Sequence, residues 1–91
     1  MDYVLLSPND GELLKKAHQM LLEGGVKDNK GWNKDKAPDK RKSTICLLVY
    51  GCLNCMEFYN HDCEHETTIP ITLTPENLTE SVNTVLAEYK K

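Results

Sequence analysis

Residues 43–59 read STICLLVYGCLNCMEFY, and the fold turns on how this stretch is divided. From Thr44 to Tyr50 the residues are β-branched or apolar at both alternating positions, the pattern of a central strand covered on two sides. Gly51, Cys52, Leu53 and Asn54 then supply a turn, and Cys55 to Tyr59 pairs back as a second strand. In that pairing Met56 and Phe58 point to one face, Glu57 and Tyr59 to the other. A short helical turn after Cys55 is the competing reading.

On the N-terminal side, Asp2 to Leu6 is a short apolar run that reads as a strand. Ser7 is expected to cap a helix, with Pro8 at its first position and Asp10 near the positive end of its dipole. Leu13, Leu14, Ala17, Met20 and Leu21 recur at helical spacing, which leaves Lys15, Lys16, His18 and Gln19 on the solvated side. Gly24 and Gly25 end the helix. Residues 26–43 show neither period and carry a charge at almost every second position, so a flexible basic loop is expected there.

On the C-terminal side, Thr68 to Leu73 alternates, with Ile69, Ile71 and Leu73 inward, and Pro70 marks an edge strand because it cannot donate to a ladder. Thr74 and Pro75 repeat the Ser7-Pro8 device. Leu78, Val82, Val85, Leu86 and Tyr89 then form the apolar stripe of a last helix. The expectation is an α+β fold, a small and mostly antiparallel sheet of three to four strands with two helices packed on one face. A chain of 91 residues is a single small domain with a marginal core, for which a zinc staple would be an asset.

Composition is 40% hydrophobic and 27% charged, which excludes a chain disordered throughout. The net charge of −3 is unevenly spread: Lys27 to Lys42 holds seven Lys/Arg against three Asp, net +4, and the remainder carries net −7. The first residues lack a basic n-region, and no apolar run approaches the ~18 residues of a membrane span. A cytoplasmic protein without membrane contact is expected.

The chemistry-bearing residues gather after the central strand. Zinc takes four nitrogen or sulfur ligands in a tetrahedron, and the C-x2-C pair Cys52 and Cys55 in a tight turn can offer two thiolates to one ion. Cys63 with His65 or His61 would complete the set. Metal ligation, idle reduced thiols and a redox pair at Cys52 and Cys55 all remain open readings of these residues. Cys46 belongs to the strand and is expected in the core as a small hydrophobe.

No phosphate-binding loop, nucleophile elbow or zinc-protease helix occurs in the sequence. The first reading is therefore a non-enzymatic interaction module, a small regulator or inhibitor of the type that phages and mobile elements encode. It would bind a protein partner through its sheet edge and its basic loop, using Trp32, Lys34, Lys36, Lys40, Arg41 and Lys42. A thiol redox protein is the alternative. Nucleic-acid binding by the loop is a second alternative, since lysines neutralise phosphates and Trp32 can stack on a base, although Asp28, Asp35 and Asp39 oppose it.

Overall fold

The computed structural model describes residues 2–7, 10–33, 46–51, 55–59 and 67–89, the side chains of Trp32 and Tyr89 excepted. In chain order the elements are β1 (Asp2–Leu6), α1 (Gly11–Glu23), β2 (Lys27–Asp28) and α2 (Lys30–Asn33). There follow β3 (Cys46–Tyr50), β4 (Cys55–Tyr59), β5 (Thr68–Thr72) and α3 (Leu78–Tyr89). The strands form one sheet in the order β2-β4-β3-β1-β5.

β3 is antiparallel to both of its neighbours, β1 and β4, whereas β5 runs parallel to β1 and β2 parallel to β4. The sheet is thus mixed and five-stranded, which corrects the expectation of three to four mostly antiparallel strands. The expected β3-β4 hairpin forms, and it is the part of the sheet built from chain neighbours. The parallel pairs come from segments that return from elsewhere, and β2 is two polar residues, too short to show any alternation.

The alternation of β3 divides the core in two. Tyr3, Leu5, Leu47, Val49, Met56 and Phe58 pack beneath the helices against Leu13, Leu14, Ala17 and Leu21 of α1 and Val82 and Val85 of α3. Val4, Cys46 and Leu48 are buried on the opposite face, with Leu6, Tyr50 and Tyr59 packed around them. Both faces of β3 are therefore covered, as its unbroken apolar run requires. Leu78 and Leu86 join Val82 and Val85 in the expected stripe of α3.

The helix ends are set by local chemistry. Asp10, not Ser7, is the N-cap of α1: its side chain accepts from the Glu12 N–H at 3.0 Å, while Ser7 is buried and its hydroxyl donates to the Asp10 carbonyl. At the other end Gly25 N–H reaches Leu22 C=O at 3.1 Å, and Val26 N–H reaches Leu21 C=O at 3.0 Å. That pair of bonds is a Schellman closure, and it needs Gly25 at φ +102, where a side chain would strain. The closure also explains why Val26 is buried against the core beside Leu21. Before α3, Thr74 Oγ1 accepts from Asn77 N–H at 3.2 Å and Asn77 Oδ1 accepts from Thr74 N–H at 2.8 Å, a reciprocal box at the expected Thr-Pro site.

The first eight residues of the expected loop are built into the fold. After Val26 and β2, Asn29 N–H donates to Met56 C=O at 3.2 Å, and one turn later α2 ends on Asn33. The Asn33 carboxamide takes over where β2 stops: its Oδ1 accepts from Phe58 N–H at 2.7 Å and its Nδ2 donates to Met56 C=O at 3.1 Å. A side-chain amide thereby imitates a strand's peptide group along the edge of β4. Residues 34–43 of the expected loop lie outside the described residues.

Asn33 is only 5% exposed, so its removal would take away buried hydrogen bonds to the Phe58 N–H and the Met56 carbonyl. Asn33→Ala is expected to cost about 1–3 kcal/mol in urea denaturation, with hydrogen exchange accelerated at Phe58. An unchanged midpoint and an unchanged Phe58 exchange rate would show that the clamp carries no stability.

Candidate functional site

The sheet face opposite the helices gathers the polar side chains. Strand register places Lys27, Cys55, Tyr50, Asp2 and Thr68 in one row across the sheet, all facing this side. The next row holds Glu57, Leu48, Val4 and Pro70, and the third holds Tyr59, Cys46, Leu6 and Thr72. Along β4, Glu57 sits between Cys55 and Tyr59. Across the pair it is diagonal to Tyr50, a distance that a long aromatic side chain bridges.

A hydrogen-bonded cluster results. Glu57 Oε2 accepts from the Tyr59 hydroxyl at 2.7 Å and the Tyr50 hydroxyl at 3.1 Å, and Oε1 accepts from Asn29 Nδ2 at 2.6 Å. The two phenol oxygens are 2.9 Å apart. Burial raises the pKa of both tyrosines; for Tyr59 the bonds to Tyr50 and Glu57 raise it further, and for Tyr50 the Tyr59 bond partly opposes the rise. At neutral pH both phenols hold their protons and act as donors. The cluster ties the β3-β4 hairpin to the Asn29 end of β2.

A second polar group lies under the helices, where His18 Nε2 donates to Asp28 Oδ1 at 2.9 Å and Asn33 Nδ2 donates to the same oxygen. The His18 ring lies 4.8 Å from the ring of Phe58. This corrects the expectation of a solvated His18: only 18% of its side chain is exposed, because β2 brings a carboxylate up beside α1. Asp2 Oδ1 accepts from Gly51 N–H at 2.9 Å and so pins the end of β3 to β1.

Of the metal ligands expected from sequence, Cys55 is half-buried on β4, whereas Cys52, His61, Cys63 and His65 lie outside the described residues. Cys46 is buried, as expected of a core residue. Register opposes Cys46 to Tyr59 and Cys55 to Tyr50, four residues apart along the hairpin, or about 13 Å at ~3.3 Å per residue. One ion cannot bridge the two thiols. Among the described residues no three His, Cys, Asp or Glu side chains come together as a metal-holding group. Of the expected partner-binding residues, Trp32 stands in α2, and Lys34, Lys36, Lys40, Arg41 and Lys42 lie outside the described residues.

Sequence reasoning missed Tyr50, Glu57 and Tyr59 as a group, although it placed Glu57 and Tyr59 on one face of the expected strand; the register that brings Tyr50 to them comes from the β3-β4 pairing. Asn29, Asp28, Asn33 and His18 left no signal, since their partners arrive through β2. No family model, curated protein or solved structure matches the chain.

The phenol cluster has a consequence at high pH. A tyrosine whose folded pKa stands above its ordinary value keeps its proton when the unfolded chain has lost it, so it stabilises the fold below about pH 10 and less as pH rises further. Stability is expected to hold through neutral pH and to fall above about pH 10, with a shallower fall in Tyr59→Phe. Denaturation midpoints measured across the alkaline range check this; equal slopes in parent and variant would contradict it.

Proposed function

We propose that the chain is a non-enzymatic interaction module, a small regulator or inhibitor that binds a protein partner with the surface around α2. The observation that supports this reading is the anchoring of α2. Its Asn33 is clamped to β4, its preceding Asn29 is bonded to Met56 and Glu57, and Asp28 is held by His18. Trp32 therefore sits in a turn whose backbone is fixed before any partner arrives. Tryptophan is over-represented among residues that dominate interfaces, and a pre-ordered element loses less entropy on binding. Lys34, Lys36, Lys40, Arg41 and Lys42 follow at once in sequence, and their charge would speed encounter with an acidic partner.

Capture from cell extract on the immobilised parent, Trp32→Ala, and the variant with Lys34, Lys36, Lys40 and Lys42 all changed to Ala tests the reading. The captured protein is then purified and its affinity measured. Trp32→Ala is expected to weaken binding about 30-fold, against a smaller effect on association rate from the lysine variant. Loss of every captured species after nuclease treatment would put nucleic-acid binding in its place.

A zinc staple is proposed beside this reading, because Cys55 and Thr68 lie in the same row of the sheet. They are three strand spacings apart, about 14 Å at ~4.8 Å each, and His65 comes three residues before Thr68. Cys52, Cys55, Cys63 and His65 or His61 would hold the ion, which would join the hairpin to β5. About one zinc per chain in elemental analysis and a lower melting temperature in chelator are expected. A metal-free protein that forms a Cys52–Cys55 disulfide on mild oxidation would favour the redox alternative.

A further inference from the structure

The outer edge of β5 is an exposed strand without a charge: residues 67–74 read TTIPITLT, and Ile69 is 37% exposed. Among the described residues its sole strand neighbour is β1. An uncharged, β-branched edge of this kind is a template for pairing with another chain, and lysines or other charges usually guard it. Here the guard is different.

The direction of each backbone group follows from one hydrogen bond. Leu73 N–H donates to Leu6 C=O at 2.8 Å, so Leu73 faces β1. Successive residues of a strand alternate their N–H and C=O between its two sides, so Ile71 and Ile69 also face β1, whereas Thr72, Pro70 and Thr68 face outward. Pro70 is therefore the central outward position, and it has no N–H to offer. Its placement costs the β1 ladder nothing. At the next outward position the Thr72 carbonyl already accepts from Asn77 Nδ2 at 2.9 Å. Asn77 is held in place for this by the reciprocal bonds with Thr74.

We infer that Pro70 and Asn77 together close the β5 edge to strand addition, so that this edge does not pair with a second copy of the chain. Pro70 removes the donor in the middle and Asn77 occupies the acceptor at the end. A partner meeting this side of the molecule finds side chains such as Ile69, and no continuous row of backbone groups. This goes beyond the proposed partner surface at α2 and does not depend on it.

Light scattering across a tenfold concentration series, with circular dichroism to verify folding, tests the inference on the parent, Pro70→Val and Pro70→Val/Asn77→Ala. The parent is expected to keep the mass of one chain. The double variant is expected to rise at least about two-fold in weight-average mass with concentration, and Pro70→Val to rise less. Protection of the Thr72 amide from hydrogen exchange should rise with it. A folded double variant with the parent's mass would overturn the inference, as would a parent that already associates through β5. If the double variant unfolds, Pro70→Val decides in the same way: an unchanged mass and unchanged Thr72 exchange overturn it.

Discussion

Everything in this fold hangs on the two hydrogen-bond ladders of Cys46–Tyr50. β3 is paired on both sides and covered on both faces, and it is the strand through which β1 and β4 are joined. Its five residues carry no charge, and four of them are buried. A single-register slip would exchange Leu47 and Val49 for Cys46, Leu48 and Tyr50 beneath the helices, so the difference between the faces keeps the pairing in place. On one side lie aliphatic and aromatic groups that need a helix above them. On the other lies Tyr50, whose hydroxyl needs the Glu57 carboxylate.

Around that apolar centre the sheet is finished by carboxamides. Asn33 continues the edge of β4 after β2 has ended, Asn29 supplies a donor to Glu57, and Asn77 caps both a helix entry and the last carbonyl of β5. Each offers a donor and an acceptor from one short side chain, which is what an edge with a mixed row of backbone groups requires. Among the described residues, side chains thus stand beside the backbone where β2 ends along β4 and where β5 ends at Thr72.

The parts of the fold that were legible in the sequence are those whose signal is local and apolar. The β3-β4 hairpin, the stripe of α3, the glycine end of α1 and the edge position of Pro70 each follow from periodicity or from one residue's geometry. Strand order did not follow, because the directions of β5 and β2 depend on pairings between distant segments. β2 and α2 were hidden by their polarity: Lys27, Asp28 and Asn33 are ordered by bonds to β4 and α1, and no apolar pattern announces them. His18 was misread for the same reason. The helical wheel places it on the polar side, and the carboxylate that covers it comes from outside the helix. Of the candidate ligands, Cys55 is placed by β4; the spacing of its expected partners is a statement about chain distance, which strand register constrains only at Cys55 and Thr68.

The position of β1 has a consequence for how the molecule forms. Its five residues near the start of the sequence lie between β3 and β5, and Tyr3 reaches Glu88 with its hydroxyl at 3.3 Å. Contacts that close such long loops pay their entropy before they return any stabilisation, so assembly is slow relative to a helical bundle of equal size. During synthesis β1 emerges before both of its strand neighbours. It has no strand partner until β3 emerges, and one side of the strand stays open until β5 does. The pairing of β1 is consequently complete only when β5, the last strand in chain order among the described residues, has arrived beside it.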